Sequence, residues 1–473
     1  MIDLGHYSGK TMAVFGLARS GLAAARALLA GGARVLAWDE SETARERAGD
    51  KGVPLTDLHK IDWKSVDALV LSPGIPLHYP EPHPLVRAAR RAGRPVIGDV
   101  ELFAAALKDG PGPGPMSGLV AVTGTNGKST TTALIGHVLQ ACGRKSIVAG
   151  NIGHPVLALD PVTKDDIHVL ELSSYQIDLT CDLAPDVGVL LNITPDHLDR
   201  HGDMNGYVAA KKRLFDGQGP GQMAVVGIDD DHAAAVRHQL LTEGRDLVIP
   251  ISAKGFVNGG VWVADGILYD GISGAPVPVG DVSAARGLPG RHNWQNAAAA
   301  YAVARVMGLQ SREIVTALES FPGLAHRLET LAEVAGVRFV NDSKATNADA
   351  AARALDAFDS VYWIVGGKPK VGGIESLRGK FNKVRRAYLI GEASDGFAAA
   401  MGKDLAHVCC GTLERAVGLA AADARRERGA HNVVLLSPAC ASFDQFADFE
   451  VRGDAFRAEV RALVKNIAEG QVA

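Results

Sequence analysis

The stretch Gly124-Thr125-Asn126-Gly127-Lys128-Ser129-Thr130 constrains this chain more than any other. It follows an apolar run, Gly118 to Val122, that reads as a buried strand, and it opens a helical pattern from Ser129 to Cys142. A glycine-bearing loop placed so brings backbone N–H groups and the positive end of a helix to one point, which suits a row of phosphates. Lys128 reaches the outer phosphates, and the Ser129 hydroxyl can ligate Mg²⁺. Loops of this kind sit at the carboxyl edge of open parallel sheets, so an α/β chain is expected.

The rest of the chain fits that expectation. Before residue 109, Thr11 to Phe15 reads as a strand, Ser20 to Ala30 as a helix and Arg34 to Trp38 as a strand. Asp109-Gly110-Pro111-Gly112-Pro113-Gly114-Pro115 supports neither helix nor ladder and marks a boundary. Beyond it, His168 to Leu172 and Val187 to Asn192 read as strands, and Lys254 to Asp281 as peripheral β-hairpins. Leu288 to Asn293 leads into an alanine-rich helix through Val306, which Phe321-Pro322-Gly323 closes off. Strands Val337 to Val340, Val361 to Val365, Ala387 to Ile390 and Val433 to Leu436 then alternate with helices. At 473 residues, three domains are expected: 1–115, 116–322 and 323–473.

Composition excludes several function classes. Hydrophobic residues at 47% against 22% charged describe a folded globular chain. A net charge of -4, from 49 basic and 53 acidic residues well mixed along the chain, recruits neither nucleic acid nor an anionic membrane. Five scattered cysteines (Cys142, Cys181, Cys409, Cys410, Cys440) form no C-x-x-C pair and suit a reducing cytosol. No leader pattern opens the chain and no apolar run spans a bilayer, so a cytoplasmic, soluble protein is expected.

Two further residues converge on the loop by position. Glu171 closes one strand, in Leu170-Glu171-Leu172-Ser173-Ser174, and His197 lies just past another, in Asn192-Ile193-Thr194-Pro195-Asp196-His197. A carboxylate and an imidazole at one sheet edge can share a hard cation with phosphate oxygens. Lys211, in Tyr207-Val208-Ala209-Ala210-Lys211-Lys212-Arg213, reads on its own as part of a basic helix face.

The loop departs from the general phosphate-loop pattern, with Val122 where the first glycine belongs. The variant Thr123-Gly124-Thr125-Asn126-Gly127-Lys128-Ser129-Thr130 resembles the signature of the Mur ligase and folylpolyglutamate synthase superfamily. The resemblance covers essentially the whole chain and implies three α/β domains: a Rossmann-like N-terminal domain, a central ATP-binding domain with a small β extension, and a Rossmann-like C-terminal domain. It implies that Lys128, His197 and Lys211 are catalytic and that Ser129, Glu171, His197 and Lys211 surround two Mg²⁺ sites, with Lys211 carbamylated. That modification needs a neutral amine, hence a lysine shifted by desolvation or by neighbouring cations, to which adjacent Lys212 and Arg213 are expected to contribute.

The segments Asn341-Asp342-Ser343-Lys344-Ala345-Thr346-Asn347 and Ser437 to Phe446 resemble the D-glutamate-adding branch of the family. Lys344, Thr346, Lys370, Ser442 and Phe449 are the implied D-glutamate site, where cations and hydroxyls could hold two carboxylates. Asn293, Arg327 and Asp342 are implied ATP contacts beside residues 124–130. In Gly366-Gly367-Lys368-Pro369-Lys370, Lys368 and Pro369 replace the Asp and Gly of the better-known pattern. Gly16-Leu17-Ala18-Arg19-Ser20-Gly21 nearly forms a dinucleotide fingerprint, but the Ala18 Cβ narrows the approach to a pyrophosphate. The resemblance assigns that domain to a UDP-substrate instead, with Ser20, Asp39, Ser72, Gly74, Asn151 and Ser173 around it.

The implied reaction is ATP-dependent addition of D-glutamate to UDP-N-acetylmuramoyl-L-alanine in peptidoglycan precursor synthesis, by a monomer, through an acyl phosphate. A folylpolyglutamate synthase would use a similar central domain but no UDP. An NAD-dependent oxidoreductase would need the Gly16 to Asp39 fingerprint that Ala18 weakens. A non-catalytic ATP switch would leave Glu171, His197 and Lys211 without a joint task.

Overall fold

Short apolar runs bounded by glycines and helix starts become strands throughout the computed structural model, which describes residues 1–109, 118–285, 287–288, 290–369, 372–427 and 431–469. β1 (Thr11–Phe15), β2 (Arg34–Trp38), β3 (Ala68–Leu71) and β4 (Val96–Ile97) form a parallel sheet in the order β2-β1-β3-β4. The strands β5 (Gly118–Thr123), β6 (Ser146–Gly150), β7 (Ile167–Glu171), β8 (Val187–Leu190), β9 (Met223–Gly227) and β10 (Val248–Ser252) follow. With β11 (Val261–Ala264), β12 (Ile267–Asp270) and β13 (Val277–Asp281) they make a nine-stranded sheet, β13-β12-β11-β10-β9-β8-β5-β7-β6. Only the β11-β12-β13 edge is antiparallel, which is the hairpin extension expected from residues 254–281.

The third sheet collects β14 (Glu329–Val334), β15 (Val337–Asn341), β16 (Val361–Gly366), β17 (Val384–Ile390), β18 (His407–Gly411) and β19 (Asn432–Leu436) in the order β14-β15-β19-β16-β17-β18. Its strands are parallel except for the β14-β15 pair. Successive side chains of a strand face opposite sides. Val433 and Leu435 accordingly enter one apolar cluster and Val434 and Leu436 another, so helices cover both faces, as parallel sheets require.

The chain divides into two compact units: residues 1–284 with 291–321, and residues 285–290 with 322–473. The boundary expected after residue 322 lies one residue from the second division. The boundary expected at 115 falls between two sheets of one unit, where Val14, Val70, Phe103, Leu170 and Val226 share one apolar cluster. The helix Asp99–Asp109 helps join them, because the Glu101 carboxylate accepts from Cys181 N–H at 2.7 Å and Asp182 N–H at 3.0 Å. Most of the glycine-proline stretch 109–115 lies outside the described residues.

One element is shorter than its sequence suggests. The apolar run from Val187 to Asn192 leaves the ladder after Leu190, because the Asn192 carbonyl accepts from Thr125 N–H at 2.8 Å rather than from a strand.

Candidate active site

The phosphate loop begins where β5 ends. Gly124 (φ 153) and Gly127 (φ 83) hold conformations that side chains resist, and a Cβ on Gly127 would collide with the Asn296 amide oxygen. Two of the loop's N–H groups are already engaged: Thr125 N donates to the Asn192 carbonyl at 2.8 Å and Asn126 N to Asn192 Oδ1 at 2.9 Å. Further donors for a phosphate lie at Gly127 and in the first turn of the helix Lys128–Ala141, where Lys128, Ser129 and Thr130 stand. The first N–H groups of a helix find no acceptor within it. The Lys128 ammonium folds back over the loop, donating to Gly124 O at 3.0 Å and Thr125 O at 2.9 Å.

Asn293, which the resemblance implies as an ATP contact, lies buried behind this loop. Its Oδ1 accepts from Asn296 Nδ2 at 2.8 Å, while Asn296 Oδ1 accepts from the Thr131 hydroxyl at 3.0 Å. Asn192, Gln295 and Asn296 escaped the sequence reading. Their one signal was the run of amides at 293, 295 and 296 opening an otherwise alanine-rich helix, His292–Val306.

Lys211 meets Lys128 at the same oxygen, donating to Gly124 O at 2.9 Å. It is 1% exposed and its ammonium sits 4.6 Å from the Tyr207 ring centroid. Burial holds its pKa well below the lysine range, and the Lys128 charge pushes it further down against the pull of Asp196. Desolvation is thus the leading cause, as one of the two expected routes had it, and only the contributing cation differs from the expected pair. Lys212 pairs with Glu243 at 2.7 Å and Arg213 donates to Thr180 O at 3.0 Å, so the cation that matters is the loop lysine. Tyr207 also reaches the loop, its hydroxyl 3.2 Å from the Thr125 hydroxyl.

Glu171 is 1% exposed. Its Oε1 accepts from Asn151 Nδ2 at 2.7 Å, but Oε2 is buried with no hydrogen-bond partner among the described residues. A buried carboxylate oxygen left so is costly unless a cation meets it. His197 adopts a left-handed backbone (φ 53), which turns its ring toward Tyr175, 5.0 Å away between centroids. Neighbouring His201 stacks on Tyr175 and contacts the Ser174 hydroxyl at 2.9 Å. Burial, and then the Lys211 charge, pushes His201 down to about 4, so it packs as a neutral ring. Among the described residues no three His, Cys, Asp or Glu side chains gather as a metal cluster. A cation here would need the Ser129 hydroxyl, a modified Lys211 or phosphate oxygens beside Glu171 and His197.

A cleft of about 830 Å³ runs from the first sheet to this loop. Ser20, Asp39, Ser72, Gly74, Asn151 and Ser173 all line it, together with Lys128 and His197. Several of these also brace the wall. Asp39 accepts from Leu17 N–H at 2.6 Å and Ser41 N–H at 2.8 Å, and the Ser72 hydroxyl donates to Gly16 O at 2.9 Å. Ser173 caps the helix Ser174–Asp178. Arg19, Glu40, His83 and Tyr175 line the cleft as well. Arg19 was legible from its place in the fingerprint, whereas His83 and Tyr175 gave no local sign.

The second unit gathers the other named residues. Asp342 is buried, accepting from the Ser437 hydroxyl at 2.8 Å and Leu328 N–H at 3.3 Å. Burial pushes it up to about 7 against those bonds and the charges of Arg327 and Arg353. The Lys344 ammonium lies 3.8 Å from the Phe449 ring centroid, and the Lys344 carbonyl accepts from Thr346 N–H at 2.8 Å. Ser442 is buried, its carbonyl accepting from Phe446 N–H at 2.8 Å. Lys370 lies outside the described residues; Lys368 N–H donates to Ala441 O at 2.9 Å, which holds that variant segment against Ser442.

Arg452 is the residue missed here. Only 1% exposed, it donates to Ser343 Oγ at 3.0 Å, Ser343 O at 2.9 Å, Cys440 O at 3.1 Å and Ala441 O at 3.3 Å, tying segment 341–347 to segment 437–446. In sequence it looks like a surface arginine on the helix Phe449–Ala468.

A phosphate-loop sheet with a substrate cleft at its carboxyl edge, followed by a second α/β unit, defines a nucleotide-dependent enzyme class, and comparison with known proteins narrows it. Residues 122–304 match the Mur ligase middle domain and residues 326–440 the Mur ligase glutamate ligase domain. The UDP-N-acetylmuramoylalanine--D-glutamate ligase of Phenylobacterium zucineum is 52% identical over 471 residues, covering 100% of this chain and 99% of that protein. The ligase of that name from Chelativorans is 50% identical over 463 residues, covering 98% of each. Solved structures share the fold at low identity. The UDP-N-acetylmuramate-alanine ligase MurC of Thermotoga maritima (TM-score 0.56, 16% identity) covers 96% of this chain and 99% of its own, and MurF of Acinetobacter baumannii (TM-score 0.55, 19% identity) 96% and 92%. The chain belongs to the Mur ligases, in the family of UDP-N-acetylmuramoylalanine--D-glutamate ligases.

Proposed function

We propose that this protein uses ATP to join D-glutamate to UDP-N-acetylmuramoyl-L-alanine in peptidoglycan precursor synthesis, acting as a cytoplasmic monomer with three domains at 1–115, 116–322 and 323–473. The observation that carries the reading is the convergence of Lys128 and Lys211 on the Gly124 carbonyl, beside a cleft of about 830 Å³ that Lys128 lines. The first-turn N–H groups after Gly127 receive the ATP phosphates, and Lys128 exchanges its two carbonyl partners for the outer phosphates. Ser20, Asp39, Ser72, Gly74, Asn151 and Ser173 hold the UDP-substrate, which directs its alanyl carboxylate toward Lys128 and His197.

That carboxylate attacks the γ-phosphorus, the bond to the β-phosphate oxygen breaks, and ADP leaves. The D-glutamate amine then adds to the acyl carbon and inorganic phosphate departs, leaving the amide. Lys128 balances the charge that develops on the transferred group. The orphaned Glu171 Oε2 fits a hard cation, and Ser129, Glu171, His197 and a carbamylated Lys211 would hold Mg²⁺, which would supply electrostatic stabilisation of the phosphates. In the second unit Lys344, Thr346, Lys370, Ser442 and Phe449 take D-glutamate, and Arg327 and Asp342 are that unit's nucleotide contacts.

ADP release measured across UDP-muramoyl substrates and both glutamate enantiomers tests this. Release that requires UDP-N-acetylmuramoyl-L-alanine and D-glutamate together is expected. Equal rates with L-glutamate, or with no UDP-sugar present, would overturn it.

A further inference from the structure

A line of amides connects a distant carboxylate to the phosphate loop. Asp229 Oδ2 accepts from Gln295 Nε2 at 2.9 Å, and Gln295 Oε1 accepts from Asn192 Nδ2 at 3.0 Å. Asn192 then grips the Asn126 peptide at both ends: its Oδ1 accepts from Asn126 N–H at 2.9 Å and its Nδ2 donates to Asn126 O at 3.2 Å. A carboxamide has a donor end and an acceptor end of nearly equal shape, so something must choose between them. An ionised carboxylate only accepts. Asp229 thus turns the NH₂ of Gln295 toward itself, which leaves an oxygen for Asn192, which in turn aims its own oxygen at Asn126 N–H.

Other contacts favour the line. Asp229 is fixed by the Ser252 hydroxyl at 2.6 Å and Ala253 N–H at 2.8 Å. Gln295 is 7% exposed and passes beside Gly227, where an added Cβ would strike the Leu191 carbonyl and crowd Gln295 Nε2. Reversing the buried Gln295 would oppose like ends of two groups on both of its sides, at a cost comparable to an unsatisfied buried hydrogen bond.

We propose that Asp229, Gln295 and Asn192 are positioning residues for ATP, and that the direction of their hydrogen bonds, beyond their packing, sets the phosphate loop. By consuming Asn126 N–H they turn that peptide away from the phosphates and leave the cradle to the helix turn behind it. The inference rests on the reading of the loop as an ATP site.

Binding of a fluorescent ADP analogue and steady-state kinetics on the full chain test it. Asn192→Asp, which keeps shape but removes the donor, should weaken ADP binding by roughly 10- to 100-fold and raise the KM for ATP, leaving the KM for the UDP-substrate within about twofold. Adding Gln295→Met removes the oxygen that would face the carboxylate introduced at position 192, so the double variant should recover at least about threefold over Asn192→Asp alone, an interaction that packing would not produce. If Asn192→Asp does not fold, Gln295→Met carries the test, with an expected loss of about 3- to 30-fold in ADP affinity. ADP binding unchanged in the folded variants, or a double variant no better than Asn192→Asp, overturns the proposal. Wild-type protein that fails to bind the ADP analogue overturns the ATP reading instead.

Discussion

Lys211 in the first unit and Asp342 in the second are both stripped of water, and burial is the largest influence on each. The same physics acts on opposite charges. At Lys211 it disfavours the positive charge, with the Lys128 charge adding to the effect. At Asp342 it removes a negative charge and places a carboxyl near half-protonation at neutral pH, against its bonds from Ser437 and Leu328. One site gains chemistry from burial, and the other gains a group whose state follows the medium.

The comparison breaks most visibly at the loop lysine. Lys128→Ala should lower ADP release by about 1000-fold or more, since among the described residues Lys128 is the cation that donates to both the Gly124 and Thr125 carbonyls; near-normal turnover in a coupled assay would refute its role. Lys211→Arg keeps a charge but cannot supply a neutral amine, and a loss of roughly 100-fold is expected in kcat. Intact-mass measurement under CO₂ should show the 211 side chain gaining a carbamate in the wild type and none in the variant.

The Asp342 half is a matter of pH. Its folded pKa of about 7 lies above the ordinary 3.8, so the folded state binds the proton more tightly. That stabilising contribution is full below the ordinary value and fades as pH rises through about 7. Thermal melting should therefore show Asp342→Asn gaining on the wild type between pH 5 and about pH 8.5, and a gap that ignores pH would break the comparison. The smallest effect belongs to Tyr207→Phe, which loses one hydroxyl contact with Thr125 while keeping the ring beside Lys211. A fall of about three- to tenfold in kcat/KM for ATP is expected from stopped-time assays.

Local chemistry explains which features were legible beforehand. β1 and β2 were visible to the residue because buried parallel strands are continuous apolar runs, and the loop was visible because glycine and lysine stand at fixed offsets from a helix start. The six cleft residues from Ser20 to Ser173 came through the family resemblance. What escaped was whatever depends on partners distant in the chain: Asn192 on Gln295, 103 positions away, and Arg452 on Ser343, 109 away. Likewise the cation facing Lys211 could not be chosen from its neighbours, since the helix sends Lys212 and Arg213 elsewhere.

The ammonium of Lys128 lying across two loop carbonyls also bears on loading. It stands in for the guest, bridging oxygens of its own chain until better ones arrive. On the proposed reading of the loop as an ATP site, swapping neutral acceptors for anionic ones would let the triphosphate enter by replacement of those two contacts.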